Sequence, residues 1–495
     1  MISEETSATD GIRGQVTNFR AMHSFGRRTL ALVSILLIAG SVRLFHLDQS
    51  SLWYDEVVTM RLARSESPTR LLGLLGQIDA TRAPLHPLLL QRWIAIFGFS
   101  DYSGRSFSVL CGVITVWLVY WIGLQAFDVT TALWASWLCA VSPALVYYSR
   151  EARMYMWLVL VACLAWGLLF SHARSPRPWR LALYGLAVIA IVYSHPLGML
   201  MACALGLASL FFRRAFQISW RGWLSIHLVI VLAVVPWVGQ YLDHAPESTT
   251  GPLPLRYLFG MPIGFIGGNF WVLFICALLI MYGQFEVQSQ KHWSSPIVLA
   301  HPAVSISLWI WLLVPTLLLF VYSRVAQPIF GPQRYTLFVG PAYLLLVGRG
   351  LGKLPWLLGI TTAAAGAILS GVMLMSGVYR PDLKADWKDL AVYLDQHDPH
   401  AMVAVVSADR TGNTELETAR YYLEPGQVVI PWSERVVDLA RGQKSVWVSI
   451  SLDDGRPLGE VPPALGTTNH IREVVDFSRL RLMKVDFQLA SPPGE

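Results

Sequence analysis

Long apolar runs separated by short polar breaks dominate the chain up to about residue 378. A helix crossing the bilayer core needs ~20 mainly apolar residues. On that length the pattern predicts eleven spans, at 29–46, 106–127, 131–148, 153–171, 181–194, 196–212, 222–241, 262–283, 303–323, 334–349 and 354–377. The run 84–99 (PLHPLLLQRWIAIFGF) is also apolar, but Gln91 and Arg92 interrupt it. An Arg at the centre of a span costs ~2.5–3.5 kcal/mol on insertion scales. That run is also short, so it predicts an interfacial or half-buried helix. From Arg380 the pattern changes to helix-like stretches (386–397, 415–423) alternating with strand-like runs (401–407, 428–430, 445–451, 480–487). Such alternation predicts a small α/β domain.

Sidedness follows from charge. With the N-terminus inside, the cytoplasmic breaks carry Arg27, Arg28, Arg174, Arg177, Arg180, Arg213, Arg214, Arg221, Lys291 and Lys353, as the positive-inside bias requires. The opposite face receives the outer loop 47–105, the turn 149–152, His195, the loop 242–255 with Asp243 and Glu247, and the loop 324–333. Everything after about 380 lies there too. Counting 84–99 as a span would turn the basic clusters outward. The expected organisation is a cytoplasmic tail 1–28, a membrane domain 29–378 and an extracytoplasmic domain 380–495. The apolar run after Arg28 is long and lacks a small-x-small cleavage site, so it reads as an uncleaved first helix rather than a secretory signal.

Composition agrees: 54% of the 495 residues are hydrophobic and 14% charged, against about 25% charged in soluble domains. The net charge of +6 does not indicate nucleic acid, because the basic residues sit in short clusters between apolar runs. The five cysteines all lie inside apolar runs, where small core residues are expected rather than disulfides or metal sites.

Five polar constellations fall on the outer face. Ser51-Leu52-Trp53-Tyr54-Asp55-Glu56 places two acids after interfacial aromatics; such a carboxylate could act as a general base toward a hydroxyl, or be a solvated anchor. Tyr147 to Tyr155 packs Arg150, Glu151, Arg153 and Tyr155 into one turn, as a ligand set for an anionic substrate or as a pair fixing the hairpin. Arg82 and His86 lead into the interfacial helix, and His195 lies between two spans. Arg324, with Arg334 and Tyr335, offers guanidinium groups for phosphate or snorkelling anchors. Two acids, several Arg and a His on one face suit an amphiphile with an apolar tail and an anionic head.

The ordered set SLWYDE, RAPLHPLLLQRWIAIFG, YYSREARMY, YSHPLG and QRYTLFVGPAYLLL resembles the GT-C glycosyltransferases over about residues 29–349. The nearest groups are similar to protein O-mannosyltransferases and lipid A aminoarabinose transferases. The resemblance implies a multi-pass inner-membrane enzyme of about 11 transmembrane helices. It would move a sugar from a polyprenyl-phosphate donor to a glycan, lipid or protein hydroxyl, with inversion. In that match Asp55 takes the place of the catalytic base, Glu151 that of the second acid, and Arg334 lies near the donor phosphate; Glu56 is grouped with the catalytic acids. Thr81-Arg82 stands where many relatives have an acid or His, so one expected metal ligand is missing. Glu151 and His195 remain the residues that could hold Mg²⁺, Mn²⁺ or Zn²⁺, and activity is expected to be modulated by a metal rather than strictly dependent on one. A lipid-linked sugar flippase is the alternative, but it should show repeated halves and mid-membrane polar residues. A non-catalytic scaffold leaves the acid and Arg constellation unexplained.

Overall fold

The computed structural model describes residues 26–78, 83–242, 270–287, 297–299, 302–326, 333–380, 384–406, 414–423, 426–432, 445–453 and 470–486, with isolated positions between them. Arg82, Asp243, Glu247, Lys291 and most of the tail 1–28 lie outside the described residues. The chain is a multi-pass α-helical membrane protein with a small sheet unit at its C-terminus. Among the described residues five helices are long and apolar enough to cross a membrane: Asp101–Ala126 (α5), Tyr155–Arg174 (α8), a stretch of Trp220–Leu242 (α11), Pro302–Val325 and one running through Trp356–Met373. A sixth arises if Val129–Val141 (α6) and Pro143–Ser149 (α7), bent by 57°, form one span. Pro143 at the start of α7 explains the break, since it cannot donate a backbone N–H to continue the helix. Pro178–Ser194 (α9), Gly198–Phe211 (α10) and Phe270–Gln284 are apolar but shorter. The first predicted span is helical over 26–44 (α1).

The loop 47–105, expected on the outer face, is itself helical: Tyr54–Ala63 (α2), Pro68–Ile78 (α3) and Leu85–Phe97 (α4). α4 is the predicted interfacial segment. At 13 residues it is shorter than a span, it buries His86, Pro87, Leu90, Gln91 and Ile94, and its Gln91 Nε2 donates to Ser65 O at 2.7 Å.

Packing follows the rule for lipid-embedded helices, where close backbone approach replaces hydrophobic drive. A Cβ on Gly350 would lie 2.1 Å from the Leu279 carbonyl oxygen, so helices Phe270–Gln284 and Gly340–Lys353 meet through glycine. Trp166 of α8 stacks on Trp311 at 5.1 Å in the core, and Trp311 Nε1 donates to Phe338 O at 2.9 Å. That bond anchors the 3₁₀ turn Gln333–Val339, which carries Arg334. The outward faces expose Leu228, Leu232, Trp356 and Leu357, the apolar surface a bilayer covers.

The C-terminal unit is a mixed sheet. Strands Met402–Val406 (β3), Val428–Pro431 (β4), Val446–Asp453 (β5), His470–Phe477 (β7) and Leu480–Asp486 (β8) run in the order β4-β3-β5-β8-β7, and the short Arg456–Pro457 (β6) pairs with β5. The preceding hairpin, Phe285–Val287 (β1) with Ile297–Leu299 (β2), is separate. β3 is parallel to β4 and β5, and β8 is antiparallel to β5 and β7. Side chains alternate as a strand requires: Trp447 faces helices Trp387–His397 and Thr414–Leu423, while Val446, Val448 and Ile450 face the other side.

Candidate active site

α2 begins where the sequence places its two acids. Glu56 Oε2 accepts the Trp53 backbone N–H at 3.3 Å, and both carboxylates lie in the first turn, where the helix dipole favours negative charge. The neighbours then diverge. Asp55 is about a quarter exposed, at 26%, and its Oδ2 pairs with Arg334 Nη1 at 3.3 Å. The Arg334 guanidinium lies 4.9 Å from the Tyr335 ring and 5.5 Å from that of Trp53. Arg153 Nη1 donates to the Asp55 backbone oxygen at 3.0 Å and to Thr59 Oγ1 at 2.7 Å. The Arg153 guanidinium sits 5.9 Å from the Tyr155 ring, and the His195 ring lies 6.4 Å from Tyr155 and 6.3 Å from Tyr335. Leu197 N donates to His195 Nδ1 at 3.1 Å, which orients the ring. Asp55, Arg153, Tyr155, His195, Arg334 and Tyr335 therefore form one cluster drawn from four chain segments.

Glu56 has a different setting. It is fully buried, and Arg105 grips it in bidentate fashion, Nε to Oε1 at 2.9 Å and Nη2 to Oε2 at 3.0 Å. Ala152 N donates to Oε1 at 2.9 Å and Lys384 Nζ lies 3.0 Å from Oε2. Burial alone would raise its pKa, but the charges of Arg105 and Lys384 and these hydrogen bonds hold the carboxyl well below its ordinary range. The remaining Arg105 donors reach the carbonyls of Leu47, Ser50 and Ser51. Glu56 is thus closed off from substrate, unlike the catalytic grouping expected for it.

Glu151 is also buried, beside Tyr147, and its Oε2 has no hydrogen-bond partner among the described residues. It lines a cavity of about 80 Å³ together with Tyr147, Arg150, Arg380 and Lys384. Burial pushes its carboxyl up to about 7; Lys384 opposes the rise and Glu56 adds to it. A carboxyl raised above its unfolded value of 4.5 favours the fold at low pH, and that contribution is lost as pH rises through the folded value. Thermal stability in detergent should therefore decline as pH rises from about 4.5 to about 7. Glu151→Gln should flatten that slope. An unchanged slope in the variant would remove Glu151 as its source.

The other expected residues are placed as follows. Arg150 caps α1, donating to the carbonyls of Arg43 (3.0 Å), Phe45 and His46 (2.8 Å), and it lies over Tyr379; this is a structural task. His86 is buried beside Phe107, and burial, reinforced by Arg153, lowers it to about 3, so it is neutral. Arg324 ends the helix Pro302–Val325 on an exposed face. Among the described residues no group of three or more His, Cys, Asp or Glu could hold a metal ion. Glu151 lies beside Tyr147 and Lys384 and His195 beside Tyr155 and Tyr335, so among the described residues they are not gathered with further ligands as the expected metal site would require.

Two buried arginines escaped the sequence reading. Arg43, inside the first apolar run, is fully buried and donates to Ser149 Oγ at 3.0 Å and to the Ala39, Cys139 and Ala140 carbonyls. Arg105 heads an apolar helix. A charge inside or at the end of an apolar run implies a buried partner, and that signal was available for both. Lys384 and Tyr422 gave no local signal.

The apolar helices and the small C-terminal sheet unit share the fold of the GT-C membrane glycosyltransferases. Residues 81–239 match the family described as dolichyl-phosphate-mannose-protein mannosyltransferase. Among solved structures, ArnT from Cupriavidus metallidurans bound to undecaprenyl phosphate is similar at a TM-score of 0.60 and 14% identity, over 94% of this chain and 99% of that one. The apo Archaeoglobus fulgidus oligosaccharyltransferase gives a TM-score of 0.54 at 11% identity, over 86% of this chain and 69% of that one. The mycobacterial arabinofuranosyltransferase AftD gives 0.51 at 14% identity, over 92% and 41% respectively. No curated protein matches.

Proposed function

We propose that the chain transfers a sugar from a polyprenyl-phosphate donor to an acceptor hydroxyl on the extracytoplasmic face of the inner membrane, with inversion at the sugar. The observation that carries this is the partly exposed pair Asp55–Arg334, 3.3 Å apart and joined from positions 279 residues apart. Asp55 removes the acceptor hydroxyl proton as that oxygen attacks C1. The C1–O bond to phosphate breaks, and the lipid phosphate leaves with the electron pair. Arg334, backed by Trp53 and Tyr335, supplies fixed positive charge where that phosphate sits. In the free protein Arg334 also occupies Asp55, so a phosphate that draws Arg334 away frees the base. Arg153 holds the Asp55 backbone from behind, and Tyr155 and His195 line the wall that faces the sugar. A prenyl tail, at ~0.8 kcal/mol per buried CH₂, keeps the donor among the lipids. ArnT, the similar structure, holds undecaprenyl phosphate. The basic inner breaks support an outward-facing site and C-terminal unit. In a flippase, polar residues would be expected near mid-membrane; here Asp55, Tyr155, His195 and Arg334 sit at or beside the ends of helices.

The test is binding of undecaprenyl phosphate to the detergent-solubilised chain, followed by native mass spectrometry. Arg334→Ala removes a charge-assisted contact worth ~1.5–3 kcal/mol, so affinity should fall roughly ten- to a hundredfold. Arg334→Lys should recover only part, because an ammonium is a point charge without the planar fork. Unchanged affinity in Arg334→Ala would take Arg334 out of the donor site.

A further inference from the structure

The turn that carries Asp55 is not held by the membrane domain alone. Residues 51–53 have no regular secondary structure, and the C-terminal unit supplies several of their hydrogen bonds. Leu52 N donates to the Tyr422 hydroxyl at 2.6 Å. Lys388 N donates to Ser51 Oγ at 3.0 Å, and Lys388 Nζ reaches the Asp48 carbonyl at 2.7 Å. The Tyr422 hydroxyl in turn donates to Asp101 Oδ2 at 2.7 Å, at the first residue of α5, and Lys388 Nζ lies 2.9 Å from the same oxygen. One turn further along α5, Arg105 grips Glu56, and Lys384 closes on Glu56 from the other side at 3.0 Å. Farther along α2, Arg61 pairs with Glu417 of the helix that bears Tyr422. A closed ring runs from Tyr422 through Asp101, Arg105, Glu56 and Leu52 back to Tyr422.

This ring has a consequence for the chemistry. Successive side chains on a helix leave its axis about 100° apart, so fixing Glu56 on one side fixes the direction of Asp55 on the next. Neither Lys384 nor Tyr422 belongs to the Asp55–Arg334 cluster. Lys384 also bears on charge balance: Glu56, Glu151, Arg105 and Lys384 gather at one place, with Tyr147, Arg150 and Arg380 around Glu151. Without Lys384, the two buried carboxyls would lose a cation that lies close to both.

We propose that Lys384 and Tyr422 are positioning residues for sugar transfer, through which the C-terminal unit holds the 51–56 turn so that Asp55 faces Arg334. The proposal rests on Asp55 and Arg334 forming the transfer site. It gives the C-terminal unit a role in the reaction even though it places no group on the substrate.

The experiment uses the full chain, with Lys384→Met, Lys384→Arg, Tyr422→Phe, Asp55→Asn and, as control, Arg481→Ala at an exposed pair in the sheet unit. Each is taken as the monodisperse detergent-solubilised fraction. Three readouts are compared: hydrogen exchange of the peptide 50–58, binding of undecaprenyl phosphate, and turnover of the undecaprenyl-phosphate sugar that the wild-type chain consumes. Exchange at 50–58 should accelerate in Lys384→Met and Tyr422→Phe, with undecaprenyl phosphate binding unchanged. A displacement of about 1 Å can cost ~10²-fold in rate, so kcat should fall roughly ten- to a hundredfold without a matching rise in KM. Lys384→Arg should restore most of it, and Arg481→Ala should match wild type. Wild-type exchange at 50–58 in both variants, or wild-type kcat, overturns the proposal. A parallel loss of phosphate binding also overturns it, since that marks general misfolding. If Asp55→Asn keeps full turnover, the underlying reading of the site fails instead.

Discussion

Asp55→Asn should abolish sugar transfer while leaving a folded protein that still binds undecaprenyl phosphate. Positioned general bases contribute about 10²–10⁴ in rate, and Asn cannot accept the hydroxyl proton, so transfer should drop by about that factor. Stability should hardly change. The Asp55–Arg334 pair is about a quarter exposed on both sides, and exposed pairs contribute roughly 0–1 kcal/mol. The Asn side-chain oxygen can still accept from Arg334, so the arginine stays ordered for the phosphate. Asp55→Glu is a sharper probe: it keeps the carboxylate but moves it by about a bond length, and misplacement on the 1 Å scale costs ~10²-fold. Turnover near wild type in Asp55→Asn, at equal recovery of folded protein, would exclude this residue as the base.

The largest loss of stability should follow from Arg105→Met. That change leaves Glu56 buried with Lys384 as its one remaining close cation, and it strips the partners from the Leu47, Ser50 and Ser51 carbonyls. Breaking a buried pair from one side costs about 3–5 kcal/mol, so the midpoint of thermal unfolding should fall steeply. Removing both charges is a different case, because a buried pair replaced by apolar residues of similar volume is often neutral. The double variant Glu56→Leu with Arg105→Met should therefore recover much of the midpoint but not transfer. The Trp53 and Ala152 N–H groups would still lack the acceptor that seats α2. If the double variant recovers turnover as well, Glu56 has no bearing on how Asp55 is placed.

Much of the architecture was legible along the chain because the forces behind it are local. A run of ~20 apolar residues finds its place in lipid wherever it sits in the sequence. The short, partly buried helix within 84–99 followed from Gln91 and Arg92, and strand and helix stretches of the C-terminal unit followed from period and length. β7 was missed: its sequence, HIREVVDF, carries charges at His470, Arg472, Glu473 and Asp476 that mask the pattern of an edge strand lying only against β8.

The candidate site divides along the same line. Residue types were visible in SLWYDE, SREARMY and QRY, and their breaks between apolar runs marked them as ends of helices. Which acid meets which cation was decided by tertiary structure alone. Asp55 and Glu56 are adjacent and chemically alike, yet one is partly exposed beside Arg334 and the other is sealed between Arg105 and Lys384. Helix geometry splits their directions, and contacts spanning 279 and 328 residues choose their partners. No local pattern encodes those contacts, because the free energy that selects them comes from desolvating whole surfaces against one another rather than from neighbouring residues.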